Sequence, residues 1–248
     1  MIFTPSTLHH CSHGTALLSP FPETFSMLCW NVHKKNRTDR KFRPFLKKLM
    51  KEADLHLCLF QEAHFEGEAF ILSDYAYDAA ANMELNDTFY GVLTACKTPS
   101  AEAQAHLSQN KESLIGPRKS LLLTTYLLSS GRKLLVLNIH AINFRENRIY
   151  EKELEVLRQK VELHEGPMII AGDFNAWNQT RTKILHQLRT SLSLEMVTFE
   201  KKDKIKSFMG YPLDFILYRG MHCLGKAVLH DHDISDHHPL FARFRIEV

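Results

Sequence analysis

The 248-residue sequence predicts a layered α/β fold, with β-sheets packed together inside and helices outside. Two observations carry this expectation. Short apolar runs of strand length alternate along the chain with longer stretches whose apolar residues recur at helical spacing. No internal repeat or low-complexity linker divides them. One domain over 27–248 is therefore expected, preceded by a flexible lead-in over 1–26 that is rich in Ser, Thr, Pro and His. A chain of this length buries roughly three quarters of its unfolded surface, enough for one sizeable core.

The elements follow in order. Residues 26–32 form an apolar run ending in Asn31 and Val32, the pattern of a buried strand. A basic loop over 34–40 leads into an amphipathic helix, where Phe42, Phe45, Leu46, Leu49, Met50 and Ala53 share one face and Lys47, Lys48 and Lys51 the other. Residues 55–62 are a second strand, apolar until Gln61 and Glu62. The acidic stretch 64–90 reads as a short helix plus loop, and 90–96 as a strand. Residues 98–118, the longest polar stretch, read as a surface excursion. Residues 120–128 and 133–140 make a hairpin about Ser-Ser-Gly-Arg. A helix over 147–165 stops at Gly166-Pro167; a strand over 168–171 opens into Gly172-Asp173-Phe174-Asn175. A helix near 180–192, a strand over 213–218, and apolar segments at 227–229 and 240–246 complete the chain.

Composition narrows the class. Hydrophobic content of 44% and charged content of 24% suit a soluble globular protein. The net charge of +3 and pI near 8.5 fit a polyanionic substrate without demanding one. The five cysteines are odd in number and none is at CxxC spacing, which points to a thiol-reducing, cytoplasmic setting and argues against a zinc site. No apolar run approaches about 20 residues, so no membrane segment is expected, and nothing in the sequence calls for more than a monomer.

The chemistry lies at strand ends. Six apolar runs finish in residues a core does not accept: Asn31; Glu62; His140 with Asn143; Asp173 with Asn175; Asp214; and Asp236 with His237. One such end is usually a cap or turn. Six together, converging on one rim, make a hard-cation and phosphate site. Oxygen donors without sulfur favour Mg²⁺ or Mn²⁺. No nucleophile elbow and no Gly-rich phosphate loop is present, so a directly attacking water is favoured.

The motifs Trp30-Asn31-Val32-His33, Phe60-Gln61-Glu62-Ala63, Asn138-Ile139-His140-Ala141, Gly172-Asp173-Phe174-Asn175-Ala176, Leu213-Asp214-Phe215 and Ser235-Asp236-His237 resemble, in order and spacing, those of the endonuclease/exonuclease/phosphatase superfamily. Residues 138–144, 171–177 and 212–220 resemble its uncharacterised YafD-like bacterial branch. The resemblance implies a four-layer, DNase I-like α/β sandwich of two packed, mostly antiparallel sheets flanked by helices. It implies Glu62 as principal metal ligand with Asn31 beside it, and Asp236 at the same site. It implies Asp173 as the residue that orients or deprotonates water, Asn175 as a phosphate ligand, and His237 as stabiliser of the scissile phosphate, held by Asp214. His140 would be a second phosphate-facing imidazole, with Asn143 nearby. The superfamily implies hydrolysis of a phosphate ester, with DNA or RNA favoured and an inositol phosphate, lipid headgroup or nucleotide as the alternative; a silent binding protein of the same fold is a third reading. One departure stands out. Where DNase-like members carry an acid supporting the first His, this chain has Arg118-Lys119, which would instead meet substrate phosphate.

Overall fold

The computed structural model describes residues 7–11, 19–65, 74–85, 88–111, 117–200, 204–230 and 233–247. Its architecture is the four-layer sandwich the sequence predicts, with fifteen strands and four helices in the described chain. One sheet has seven strands, in the order β1 (Thr7–Cys11), β4 (Ala76–Leu85), β5 (Thr88–Cys96), β3 (Leu55–Phe65), β2 (Thr24–Asn31), β15 (Leu240–Ile246) and β14 (Met221–Val228). The other has six: β10 (Glu195–Met196), β13 (Asp214–Arg219), β9 (Met168–Asp173), β8 (Lys133–His140), β7 (Arg118–Leu127) and β6 (Glu102–Lys111). A separate hairpin pairs β11 (Ser207–Phe208) with β12 (Tyr211–Pro212).

Each sheet is antiparallel except at one central pair, β2 with β3 and β8 with β9. A parallel pair needs a crossover, and helices supply it. The helices α1 (Lys35–Thr38) and α2 (Phe42–Glu52) join β2 to β3 and cover the outer face of the seven-stranded sheet through Phe42, Leu46 and their neighbours. In the same way α3 (Asn147–Val161) joins β8 to β9. With α4 (Gln179–Ser191) it covers the six-stranded sheet through Tyr150, Leu154, Leu157, Ile184, Leu185 and Leu188. Between the sheets lies the largest core, built from alternate residues such as Met27, Cys29, Leu57, Leu59, Val136, Ile169, Ile216 and Phe244. Alternation explains it: each strand sends every second side chain inward and the others under a helix.

Three segments differ from the sequence expectation. The strand β4 occupies part of the stretch read as helix plus loop; its alanines, Ala79, Ala80 and Ala81, are fully buried on both faces and carry no clear period. Residues 66–73 and 86–87 of that stretch lie outside the described residues. The strand β6 occupies much of the stretch read as a polar excursion, because an edge strand with its outer face in solvent keeps polar side chains. Within the stretch read as lead-in, β1 lies antiparallel to β4, and Phe21 and Phe25 are buried in the inter-sheet core. Cys29, Cys58, Cys96 and Cys223 are free thiols. Among the described residues no helix is long and apolar enough to cross a membrane.

Gly172 shows how tightly the motif region is built. Its φ is +147°, and a Cβ there would lie 1.9 Å from the Ile139 carbonyl oxygen on β8. Gly172→Ala therefore forces backbone movement as well as strain, and a loss of about 3 kcal/mol is expected. A thermal melt checks it; an unchanged midpoint would contradict the close approach of β8 and β9.

Candidate active site

Strand direction gathers the candidate residues. The parallel strands β2, β3, β8 and β9 all run toward one edge of the sandwich, so Asn31, Glu62, His140 and Asp173 sit at or near their C-terminal ends. The strands β13 and β15 run antiparallel to β9 and β2, so Asp214, which opens β13, and Asp236 and His237, which precede β15, reach the same edge. Register makes the meeting specific: Asp173 is paired with His140 on one side and with Asp214 on the other.

The buried Asp173 carboxylate is the centre. Asn31 Nδ2, from the other sheet, donates to Asp173 Oδ2 at 3.0 Å, and the Asn175 backbone N–H donates to Oδ1 at 3.1 Å. Burial raises the Asp173 pKa, and the neighbouring Asp214 charge raises it further. His237 Nδ1 lies 2.7 Å from Asp214 Oδ2. Burial alone would lower the His237 pKa, but the charge and hydrogen bond of Asp214 outweigh it and push the imidazole up to about 9. The ring is further fixed through its main chain, since Trp30 Nε1 donates to the His237 carbonyl at 2.8 Å. Asp173, Asp214 and His237 each bring a ligand atom within 4.8 Å of the others.

His140 differs. Its Nε2 lies 3.0 Å from Lys119 Nζ, and 3.7 and 3.8 Å from the carboxylates of Asp173 and Glu62. Burial holds its pKa well below the ordinary value, and the Lys119 charge adds to that. A ring held in its neutral form accepts from the ammonium at Nε2, and its distances to the two carboxylates are then not ion pairs. Strand alternation separates the two basic residues of the unusual pair. Lys119 points into the site, whereas Arg118 is exposed, lies outside the cleft lining and contributes its carbonyl to Asn82 Nδ2.

Glu62 sits on a bulge in β3 with φ +48°, and bulges re-aim a side chain. Its carboxylate faces the cleft with no hydrogen-bond donor among the described residues, and His140 Nε2 stands 3.8 Å away. His33, Lys34 and Asn175 share this left-handed backbone region, so four such residues ring the site. Asn31 Oδ1 accepts from the His33 N–H at 3.0 Å, and Asn36 clasps both main-chain groups of His64, fixing the loops behind Glu62. Asp236 lies at the mouth, 2.6 Å from Lys206 Nζ and 3.2 Å from His33 Nδ1. Partial burial works against its charge, yet the Lys206 hydrogen bond holds its pKa below the usual range.

Eight of the predicted residues, Glu62, Lys119, His140, Asn143, Asp173, Asn175, Asp236 and His237, line one cleft of about 850 Å³. Asn31 and Asp214 stand just behind, bonded to Asp173 and His237. The sequence reading missed Arg181. This fully buried guanidinium donates to the carbonyls of Ile142 and Asn175 through Nη1, and of Asn143 and Arg145 through Nη2, at 2.6–3.0 Å. It lies 4.4 Å from the centre of the Tyr150 ring and 4.7 Å from that of Trp177. Arg181 thereby ties the loop after β8 to the loop after β9. A signal was present: Arg181 falls on the buried stripe of α4, at i, i+3, i+4 and i+7 with Ile184, Leu185 and Leu188.

Residues 28–237 match the model of a family described as endonuclease/exonuclease/phosphatase. A UPF0294 protein of Yersinia enterocolitica is 34% identical over 97% of this chain and 92% of its own length. Another, from Photorhabdus laumondii, is 36% identical over 93% and 87%. Among solved structures, D. rerio TDP2 complexed with a single-strand DNA product superposes with a TM-score of 0.65 at 17% identity, over 90% of this chain and 99% of that one. A mannosyl-6-phosphatase of Bacteroides thetaiotaomicron superposes at 0.62 and 15% identity, over 89% and 99%.

Proposed function

Because the chain belongs to the endonuclease/exonuclease/phosphatase family, we propose that it hydrolyses phosphodiester bonds of nucleic acid, by direct attack of water and with the help of a divalent cation. The observation that carries this reading is the meeting of Asp173 and the Asp214–His237 pair at one cleft wall, beside a carboxylate, Glu62, that no donor among the described residues satisfies.

Asp173 is held by two donors, one from the other sheet and one from the loop after its own strand, and borders the cleft, as a group that orients and deprotonates water must be. With Nδ1 engaged by Asp214, the protonated His237 meets phosphate through Nε2, where it stabilises the charge that develops as the P–O bond breaks. Asn175 gives one amide hydrogen to the Ala141 carbonyl at 3.1 Å and has a second for a phosphate oxygen. Asn143 is held alongside by Arg181, and Lys119, steadied by His140, adds a fixed positive charge.

The donor set fits a hard cation, being oxygen-rich and without thiolate. Glu62 would hold it, with Asn31 beside it and Asp236 at the mouth. Asp173, Asp214 and His237 are close enough to serve as ligands, but the 2.7 Å hydrogen bond already uses His237 Nδ1 and one Asp214 oxygen. When bound, Mg²⁺ or Mn²⁺ supplies charge neutralisation at a phosphoryl oxygen and the leaving oxyanion.

One observation favours a second reading. Lys119 beside His140 puts cationic charge deep in the site, where a terminal phosphate monoester carries its extra negative charge. Nicking of supercoiled plasmid separates the readings. With Mg²⁺ or Mn²⁺ the wild type is expected to nick, and chelator or Asp173→Ala to abolish it. An inert wild type that releases phosphate from monoesters would replace the nuclease reading with the phosphatase one. Inertness toward both would leave a binding protein.

A further inference from the structure

Six large apolar side chains are exposed among the described residues, and three of them, Phe144, Phe208 and Met209, border the cleft of the phosphate chemistry. Phe144 is 74% exposed, Phe208 50% and Met209 75%. An apolar cluster beside a charged site marks a place where something binds. The chain that carries them is held in place. Phe144 lies between Asn143 and Arg145, whose carbonyls both accept from Arg181. Trp177 lines the same wall over the Arg181 guanidinium, and Phe208 meets it edge-on, with ring centres 6.1 Å apart at 86°. Phe208 and Met209 sit on the free-standing β11–β12 hairpin, whose turn residues Met209 and Gly210 both have left-handed φ, the tight-turn geometry that keeps a two-stranded hairpin twisted.

We propose that this aromatic wall stacks an unpaired nucleobase adjoining the phosphate held by Asp173 and His237, so that the preferred substrate is single-stranded nucleic acid. The inference rests on the nucleic-acid reading above and names the form of substrate within it. Base faces are hidden in a duplex and open in a single strand, and aromatic side chains bind single strands through those faces. Charge complements the wall. Lys34, Lys119 and Lys206 all line the same cleft and give it positive charge for the phosphates of a strand. A flat ring also matches Trp177 and Phe208 better than a flexible acyl chain does.

The test is binding in EDTA, where no turnover competes. The probe is a DNA 12-mer carrying 2-aminopurine next to its central phosphate, single-stranded or annealed to its complement. The single strand should bind at least about ten-fold tighter than the duplex, with a fall in 2-aminopurine emission. Phe208→Leu and Phe144→Leu keep an apolar surface but lose the ring. Each should weaken the single strand by about ten-fold, and Phe208→Trp should retain affinity. Duplex binding as tight as single-strand binding, or leucine variants that bind like wild type, would overturn the proposal. So would wild-type binding to phosphatidylglycerol–phosphatidylcholine vesicles that the leucine variants lose, since the wall would then be an apolar lipid contact. The two levels stay distinguishable. Plasmid nicking with duplex binding unaffected by the variants defeats only the base-stacking proposal, whereas neither binding nor cleavage of any nucleic acid defeats the nuclease reading beneath it.

Discussion

Asp173→Asn is expected to lower turnover of whichever phosphate ester the protein cleaves by about 10³-fold, with the fold unchanged. The substitution is isosteric, and the Asn175 N–H can still donate to the remaining carbonyl oxygen. What is lost is the oxygen facing the Asn31 amide and the negative charge that could take a proton from water. General-base contributions are of the order 10²–10⁴, and the buried, doubly held carboxylate belongs in the middle of that range. Initial rates at saturating substrate, with circular dichroism as the fold control, decide it. A variant within about ten-fold of wild type would remove Asp173 from the water-activating role and turn attention to the imidazoles.

Arg181→Met is expected to cost about 4 kcal/mol of stability, the largest effect predicted for any residue that does not face the cleft. Four backbone carbonyls accept from this one side chain, and a thioether of similar length satisfies none of them. Each stranded buried carbonyl costs on the order of 1 kcal/mol or more. For a chain of this size that corresponds to a melting-point fall of about 10 °C. Arg181→Lys should recover only part, since an ammonium cannot bridge two loops with a planar fork. A drop smaller than about 3 °C for the Met variant would mean that water replaces the guanidinium and that the loops hold themselves.

The sequence showed the two features that share one physical cause. A buried strand is written as an uninterrupted apolar run, so both the strand and the polar residue ending it stand out, as at 26–32, 55–62 and 168–173. Those polar ends are the candidate residues that the structure brings to one cleft, whereas cleft residues away from those strand ends, such as Lys206 and Phe208, carried no such mark. Three things were not visible. The strand β4 is hidden by alanines, which small space on both faces requires but which signal no period. The strand β6 is hidden by its exposed outer face. Pairing was hidden throughout: nothing in the chain says that Lys119 rather than Arg118 turns inward, or that Arg181 finds its partners on main-chain oxygens instead of a carboxylate. Such partnerships are three-dimensional, and one sequence records only their donors.

The bond from Asn31 on one sheet to Asp173 on the other, and the buried Gln61–Asn138 amide contact at 2.7 Å just beneath it, have a consequence for how the molecule is made. On the proposed function, neither sheet alone holds a working centre. A chain in which each sheet has formed but the two have not yet docked would have most of its secondary structure and none of its chemistry. Recovery of activity during refolding would then trail the circular-dichroism signal and follow burial of the inter-sheet aromatic residues. The step that completes the protein and the step that switches it on would be the same event.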